Sequence, residues 1–111
     1  MTIPANMVRL DTIEKLEEAI ENSRVHPVLL FKHSRTCGIS AGVMDGEISD
    51  VEATVNLVLV QDDRHISNEI AKRTGIRHES PQAIVLKDGE VVYHASHFDI
   101  TADDIHSGLG R

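Results

Sequence analysis

Apolar residues along this chain follow two rhythms: short unbroken runs, and stretches that are apolar on one side only. The runs fall at 28–32, 55–61 and 83–87 and are built from Val, Leu, Ile and Phe. Runs of this length and composition predict strands. The second, Val-Asn-Leu-Val-Leu-Val-Gln, predicts a central strand buried on both faces and parallel to its neighbour. Shorter strands are expected at 8–10 and 91–93. Asp88-Gly89 predicts a two-residue type I′ hairpin between the last two strands.

The one-sided stretches predict helices. Ile13, Leu16 and Ile20 repeat at helical spacing up to about Asn22, with Asp11 as N-cap and Glu14 completing a capping box. Glu14, Glu17, Glu18 and Glu21 form the solvated face. Ile39, Val43 and Ile48 mark a second helix, on which Gly38, Gly42 and Gly46 recur every fourth residue. Each interior glycine costs roughly 1 kcal/mol against Ala. Two readings of them stand: something packs close to the backbone, or the helix is weak and frays after Met44. Asp62 or Asp63 caps a third helix, with Ile66, Ile70 and Ala71 inward, Gly75 as its stop and Ile76 packing back. Thr101, with Asp104 three residues on, opens a last short helix carrying Ile105 and Leu109. Residues 1–7 read as a loose lead-in and 23–27 as a break.

The resulting order is strand, helix, strand, helix, strand, helix, strand, strand, helix. Strand–helix–strand units predict parallel pairing with right-handed crossovers, and the hairpin predicts an antiparallel pair at the end. A small mixed β-sheet flanked by helices on both faces, an α/β fold, accommodates both. A chain of 111 residues suits one domain over 1–111. Aromatics make up only 3%, so the core is expected to be aliphatic. The net charge of −7 argues against a nucleic-acid partner. No apolar stretch is long enough to span a bilayer, and residues 1–10 lack the pattern of a secretory signal. Neither a membrane nor export is therefore expected. One cysteine excludes an intramolecular disulfide and fits the reducing cytoplasm.

That cysteine, Cys37, sits where the first apolar run gives way to helical periodicity. A helix start favours thiolate over thiol, and its neighbours Ser34, Arg35, Thr36 and Ser40 are polar, unlike those of an inert buried cysteine. His33 and Arg35 are expected to add positive potential. Ser80-Pro81 precedes the third run. By itself it is a strand starter; in the order typical of thioredoxin-like domains, a proline here is cis and faces the cysteine. Residues 96–101 join the last strand to the last helix and read first as a plain N-cap loop, and second as an anion site. His33-x-x-x-Cys37 and His94-x-x-His97 lack the paired spacing of a structural zinc site, so no metal is expected.

Four segments together resemble the monothiol bacilliredoxins, thioredoxin-fold proteins of bacillithiol-using bacteria. They are Lys32-His33-Ser34-x-Thr36-Cys37-x-Ile39-Ser40, Ser67-Asn68-x-Ile70-Ala71, Gly75-Ile76-x-His78-Glu79-Ser80-Pro81-Gln82 and Ala95-Ser96-His97-Phe98-x-Ile100-Thr101. The resemblance implies a thioredoxin-like fold and a monothiol disulfide oxidoreductase that removes bacillithiol from S-bacillithiolated client proteins through Cys37. It implies no permanently bound cofactor, with bacillithiol as thiol co-substrate. Thr36, Gly38, Ser80 and Pro81 would line the disulfide. Ser96, His97 and Asp99 would grip the carboxylates of the low-molecular-weight thiol. One residue departs from the family pattern, which commonly has Pro where this chain has Gly38. Two other readings of the residues stand beside this one: a non-enzymatic binding module on the same scaffold, and a peroxide sensor based on Cys37.

Overall fold

The computed structural model describes residues 6–111. The expected loose lead-in lies outside them except for its end: Met7 already opens the first strand. Five strands, β1 (Met7–Arg9), β2 (Val28–His33), β3 (Val55–Leu59), β4 (Gln82–Lys87) and β5 (Glu90–Ser96), form one sheet in the order β1-β3-β2-β4-β5. Four helices, α1 (Ile13–Asn22), α2 (Gly38–Val43), α3 (Arg64–Thr74) and α4 (Ala102–Gly108), cover it.

The period-2 alternation of the strands divides the core in two. Leu29, Phe31, Leu57, Leu59 and Val85 face one side with Val43 of α2, Met44 and Ile48 just after it, Ile105 of α4 and Leu109 at the end of α4. Leu30, Val58, Ile84 and Leu86 face the other with Leu16 and Ala19 of α1 and Ile66 and Ile70 of α3. The same alternation sends His33 toward α2 and Lys32 toward α3.

β3 pairs in parallel with β1 and β2, as two crossovers through α1 and α2 require. β4 runs antiparallel to β2 as well as to β5, against the parallel pairing expected across α3. The reason is the connection. The eleven residues of α3 advance about 16 Å, and the irregular segment 75–81 is long enough at ~3.3 Å per residue to retrace that length. β4 therefore enters the sheet from the end at which β2 leaves it. The hairpin is type I′: Asp88 and Gly89 have φ of 53° and 76°.

Three local expectations change. Thr12, not Asp11, caps α1, its Oγ1 accepting from Lys15 N at 3.1 Å, while Asp11 pairs with Lys15 Nζ at 2.8 Å. Asp63 stands at the N-cap of α3 but gives both carboxylate oxygens to Arg9, at 2.9 and 3.0 Å. After Val43 the second helix widens into a π-helical turn, Met44–Ile48, closed by Ser49 N to Met44 O at 3.0 Å. That extra residue per turn keeps Val43 and Ile48 on the buried side and leaves Ile39 exposed. Side chains added at Gly38, Gly42 or Gly46 would meet open space, so close packing does not explain the glycines; the helix changes character at Met44.

Candidate functional site

Strand register carries four segments to one end of the sheet. His33 ends β2 opposite Leu59, so the loop 34–37 runs beside 60–62. Lys32 lies opposite Gln82, and Gln82 opposite Ser96. Cys37, Gln61, Pro81 and Ser96 thus share this end. A pocket of about 420 Å³, lined by His26, Val28, Asn56 and Arg111, lies at the other end.

Cys37 is the N-cap of α2, half-buried and outside any disulfide, with extended backbone (φ −104°, ψ 119°). Its loop is held from two sides. From below, Ser40 Oγ accepts the Ser34 N–H at 3.0 Å and meets His33 Nδ1 at 2.7 Å. Ser40 and His33 are both buried. Burial pushes the His33 pKa down, which favours the neutral ring beside the Ser40 hydroxyl. From the side, Gln61 Nε2 donates to Ser34 Oγ (2.7 Å) and Thr36 Oγ1 (3.0 Å), and its Oε1 accepts from Arg35 N at 3.1 Å. Arg35 turns away to Asp62 at 2.8 Å. Neither His33 nor Arg35 therefore supplies the free positive charge expected beside the thiol.

Gly38 begins the helix after an extended residue, and nothing lies within 4 Å of an added Cβ. This is a geometry that proline accepts. Gly38→Pro is expected to raise stability by about 0.4–1 kcal/mol through the unfolded chain, measured by urea denaturation; a loss of stability would contradict the backbone described.

The Ser80-Pro81 bond is cis, and Pro81 is buried. The segment leading to it is tied at three points. Gln82 Nε2 donates to Arg77 O at 3.1 Å. His78 Nδ1 accepts from Lys32 Nζ at 3.2 Å and lies 3.0 Å from Ser67 Oγ. Ser96 Oγ donates to Glu79 Oε1 at 3.1 Å. Lys32, 1% exposed, also donates to Ser67 O at 3.1 Å. Burial lowers its pKa to about 8, and burial, with Lys32 and Arg64 nearby, lowers that of His78. Ser80 Oγ and Gln82 Oε1 are buried without a hydrogen-bond partner among the described residues.

The end of β5 differs from the expected anion site. His97 has a left-handed backbone, φ 55°, fixed by its N–H on Pro81 O at 3.0 Å. Its Nδ1 lies 3.7 Å from Glu79 Oε2. Ser96 and His97 thus already face a carboxylate, the chain's own Glu79. Asp99, exposed in the 3₁₀ turn His97–Asp99, is itself an anion and repels another. Sequence reasoning gave Gln61 no part in the site, and named Lys32, His33, Ser40 and Glu79 without the contacts that join them. The signals were a glutamine directly after a buried strand, and a lysine inside an apolar run.

A family model described as monothiol bacilliredoxin BrxC matches residues 8–105. A solved structure described as a candidate oxidoreductase with a thioredoxin fold is 33% identical, with TM-score 0.83 over 92% of each chain. Mitochondrial thioredoxin 3 from Saccharomyces cerevisiae is 12% identical, with TM-score 0.71 over 94% of this chain and 93% of that one. A thioredoxin from Halobacterium salinarum is 15% identical, with TM-score 0.69 over 98% and 93%. These last two share the thioredoxin-like fold.

Proposed function

The chain belongs to the monothiol bacilliredoxin family, which carries a thiol redox function, and from that premise we propose that it removes bacillithiol from S-bacillithiolated proteins through Cys37. The observation that carries the reading is the placement of the sole cysteine. It is half-buried at the head of α2, at the sheet end where cis Pro81 enters β4.

The Cys37 thiolate attacks the bacillithiol sulfur of a mixed disulfide. The client–bacillithiol S–S bond breaks, a Cys37–bacillithiol S–S bond forms, and the client thiolate leaves and takes a proton from water. One disulfide replaces another, with no net oxidation. Three residues on, where a second thiol could resolve the adduct, stands Ser40, buried and bonded to His33. Resolution therefore falls to an outside thiol. A second bacillithiol attacks the adduct, releasing bacillithiol disulfide and Cys37. Thr36 and Gly38 flank the sulfur, and Ser80-Pro81 offers backbone groups to an extended substrate. Bacillithiol is a co-substrate and not a resident cofactor, and the clients are other proteins in a reducing cytoplasm.

Incubation with bacillithiol disulfide, followed by intact mass measurement, tests this. The expected result is one bacillithiol adduct that disappears in Cys37→Ser, together with release of bacillithiol from a client by the wild type only. Absence of any adduct sinks the proposal.

A further inference from the structure

Gln61 leaves the sheet beside the loop that carries Cys37. Val60 N donates to His33 O at 3.0 Å, so the chain after β3 runs alongside the chain after β2. One side-chain amide then serves three consecutive residues. Its Oε1 accepts the Arg35 N–H at 3.1 Å, and its Nε2 donates to Ser34 Oγ at 2.7 Å and Thr36 Oγ1 at 3.0 Å. A backbone N–H can only donate, so the Arg35 contact fixes which way the amide faces. Both amide hydrogens are used on the loop.

Few other contacts hold the tip of this loop. Its turn is closed by Cys37 N on Ser34 O at 3.4 Å, a long bond, and the Cys37 side chain makes no cap bond to α2. Arg35 pairs with Asp62, but both side chains are open to water, and such a pair contributes little. Ser40 holds the base of the loop from inside the core, through the Ser34 N–H. Gln61 holds the tip from outside: Arg35 and Thr36 are exposed, and Ser34 and Gln61 are half-buried. Water replaces the hydrogen bonds at the tip when Gln61 is lost, so they contribute little to the fold. What water does not replace is their geometry, three fixed points in the three residues before the sulfur.

We propose that Gln61 is a positioning residue for the exchange at Cys37, fixing residues 34–36 so that the sulfur meets in line a disulfide lying along Ser80-Pro81. This rests on Cys37 being the attacking thiol, and it adds the residue that aims it. The covalent step is the exchange already described. A Cys37–bacillithiol S–S bond forms, the client–bacillithiol S–S bond breaks, and the client thiolate leaves and takes a proton from water. Attack on a disulfide needs the three sulfurs close to a line, and a small misplacement of the attacking atom slows it steeply. Alkylation by a small, freely diffusing reagent has no docked geometry to satisfy.

The test uses the full chain and a one-cysteine peptide capped as a mixed disulfide with bacillithiol. Transfer of bacillithiol to Cys37 is timed by intact mass, and Cys37 is alkylated in parallel with iodoacetamide. Gln61→Met keeps the length of the side chain and loses all three bonds. It is expected to slow transfer about tenfold, with alkylation within about twofold of wild type and a urea midpoint close to that of wild type. Gln61→Glu is the conservative rescue. One carboxylate oxygen accepts the Arg35 N–H, and the Ser34 and Thr36 hydroxyls turn to donate to the other. At raised salt, where the added charge is screened, its transfer rate is expected to lie within about threefold of wild type.

Transfer at the wild-type rate in Gln61→Met overturns the assignment and leaves the exchange reading standing. An equal fall in transfer and alkylation overturns it too, since the effect then lies on the thiol itself and not on its aim. A urea midpoint lowered as far as that of Ser40→Ala makes Gln61 a support of the fold, and Gln61→Glu as slow as Gln61→Met removes the three bonds as the cause; either result overturns the proposal. If no bacillithiol reaches Cys37 in the wild type, the exchange reading falls first and this one with it.

Discussion

Ser40→Ala is expected to destabilise the protein by on the order of 2–3 kcal/mol and to loosen the loop that carries Cys37. One hydroxyl serves two groups that nothing else serves. It accepts the Ser34 N–H and hydrogen-bonds Nδ1 of the buried His33 ring. Alanine leaves both without a partner, and a stranded buried polar group costs about 1–3 kcal/mol. The packing loss is small, so the effect measures the hydrogen bonds. Ser34 is also where Gln61 grips the loop, so its release should spread to Thr36 and Cys37. Urea unfolding should show the lower stability, and amide exchange should show faster opening over residues 34–37. Ser107→Ala, an exposed serine in α4, should change stability by less than ~0.5 kcal/mol. If Ser40→Ala is as mild as Ser107→Ala, the Ser40–His33 pair does not support the loop.

The elements were legible because the signals for them are local. Unbroken apolar runs became β2, β3 and β4, Asp88-Gly89 became the hairpin with both residues at positive φ, and Gly75 became a left-handed helix stop. Cys37 was legible for the same reason, as a polar neighbourhood at a strand-to-helix boundary. The surroundings of the site depend on pairings made across the chain. Nothing near Glu79 in sequence says that Ser96 will meet it, because that contact needs β4 to turn antiparallel and β5 to fold back on it. Gln61 meets the Cys37 loop only because β3 and β2 are in register at Leu59 and His33. Competition among neighbours was equally hidden. Asp11 has the composition of a cap and lost the position to Thr12, since a carboxylate one residue earlier has Lys15 within reach. The π-helical turn was invisible to a count made at 3.6 residues per turn.

Lys32→Met should stabilise the protein at pH 7, and the gain should fade as the pH rises from 8 to about 10.5. Lys32 occupies the middle of the sheet, 1% exposed, and no carboxylate pairs with it among the described residues. Burial lowers its pKa from 10.5 to about 8. Such a shift corresponds to roughly 3 kcal/mol by which the fold disfavours the charged form. Between pH 8 and about 10.5 the unfolded chain binds more protons than the folded one, so wild-type stability must rise with pH across that window. Below pH 8 both states are protonated and the full penalty applies. Methionine has a similar shape and no charge to bury, so its curve should lack this rise. Losing the ammonium withdraws a donor from Ser67 O and His78 Nδ1, and His78 keeps Ser67 Oγ within 3.0 Å. The expected net gain at pH 7 is therefore on the order of 2 kcal/mol. Tyr93, whose pKa burial raises, acts in the opposite direction near pH 10 but is common to both proteins and cancels in the difference. Urea midpoints from pH 7 to 10.5 supply the comparison. Parallel curves for the two proteins would mean that Lys32 reaches water, and the tether from β2 to the segment before Pro81 would lose its charged, buried character.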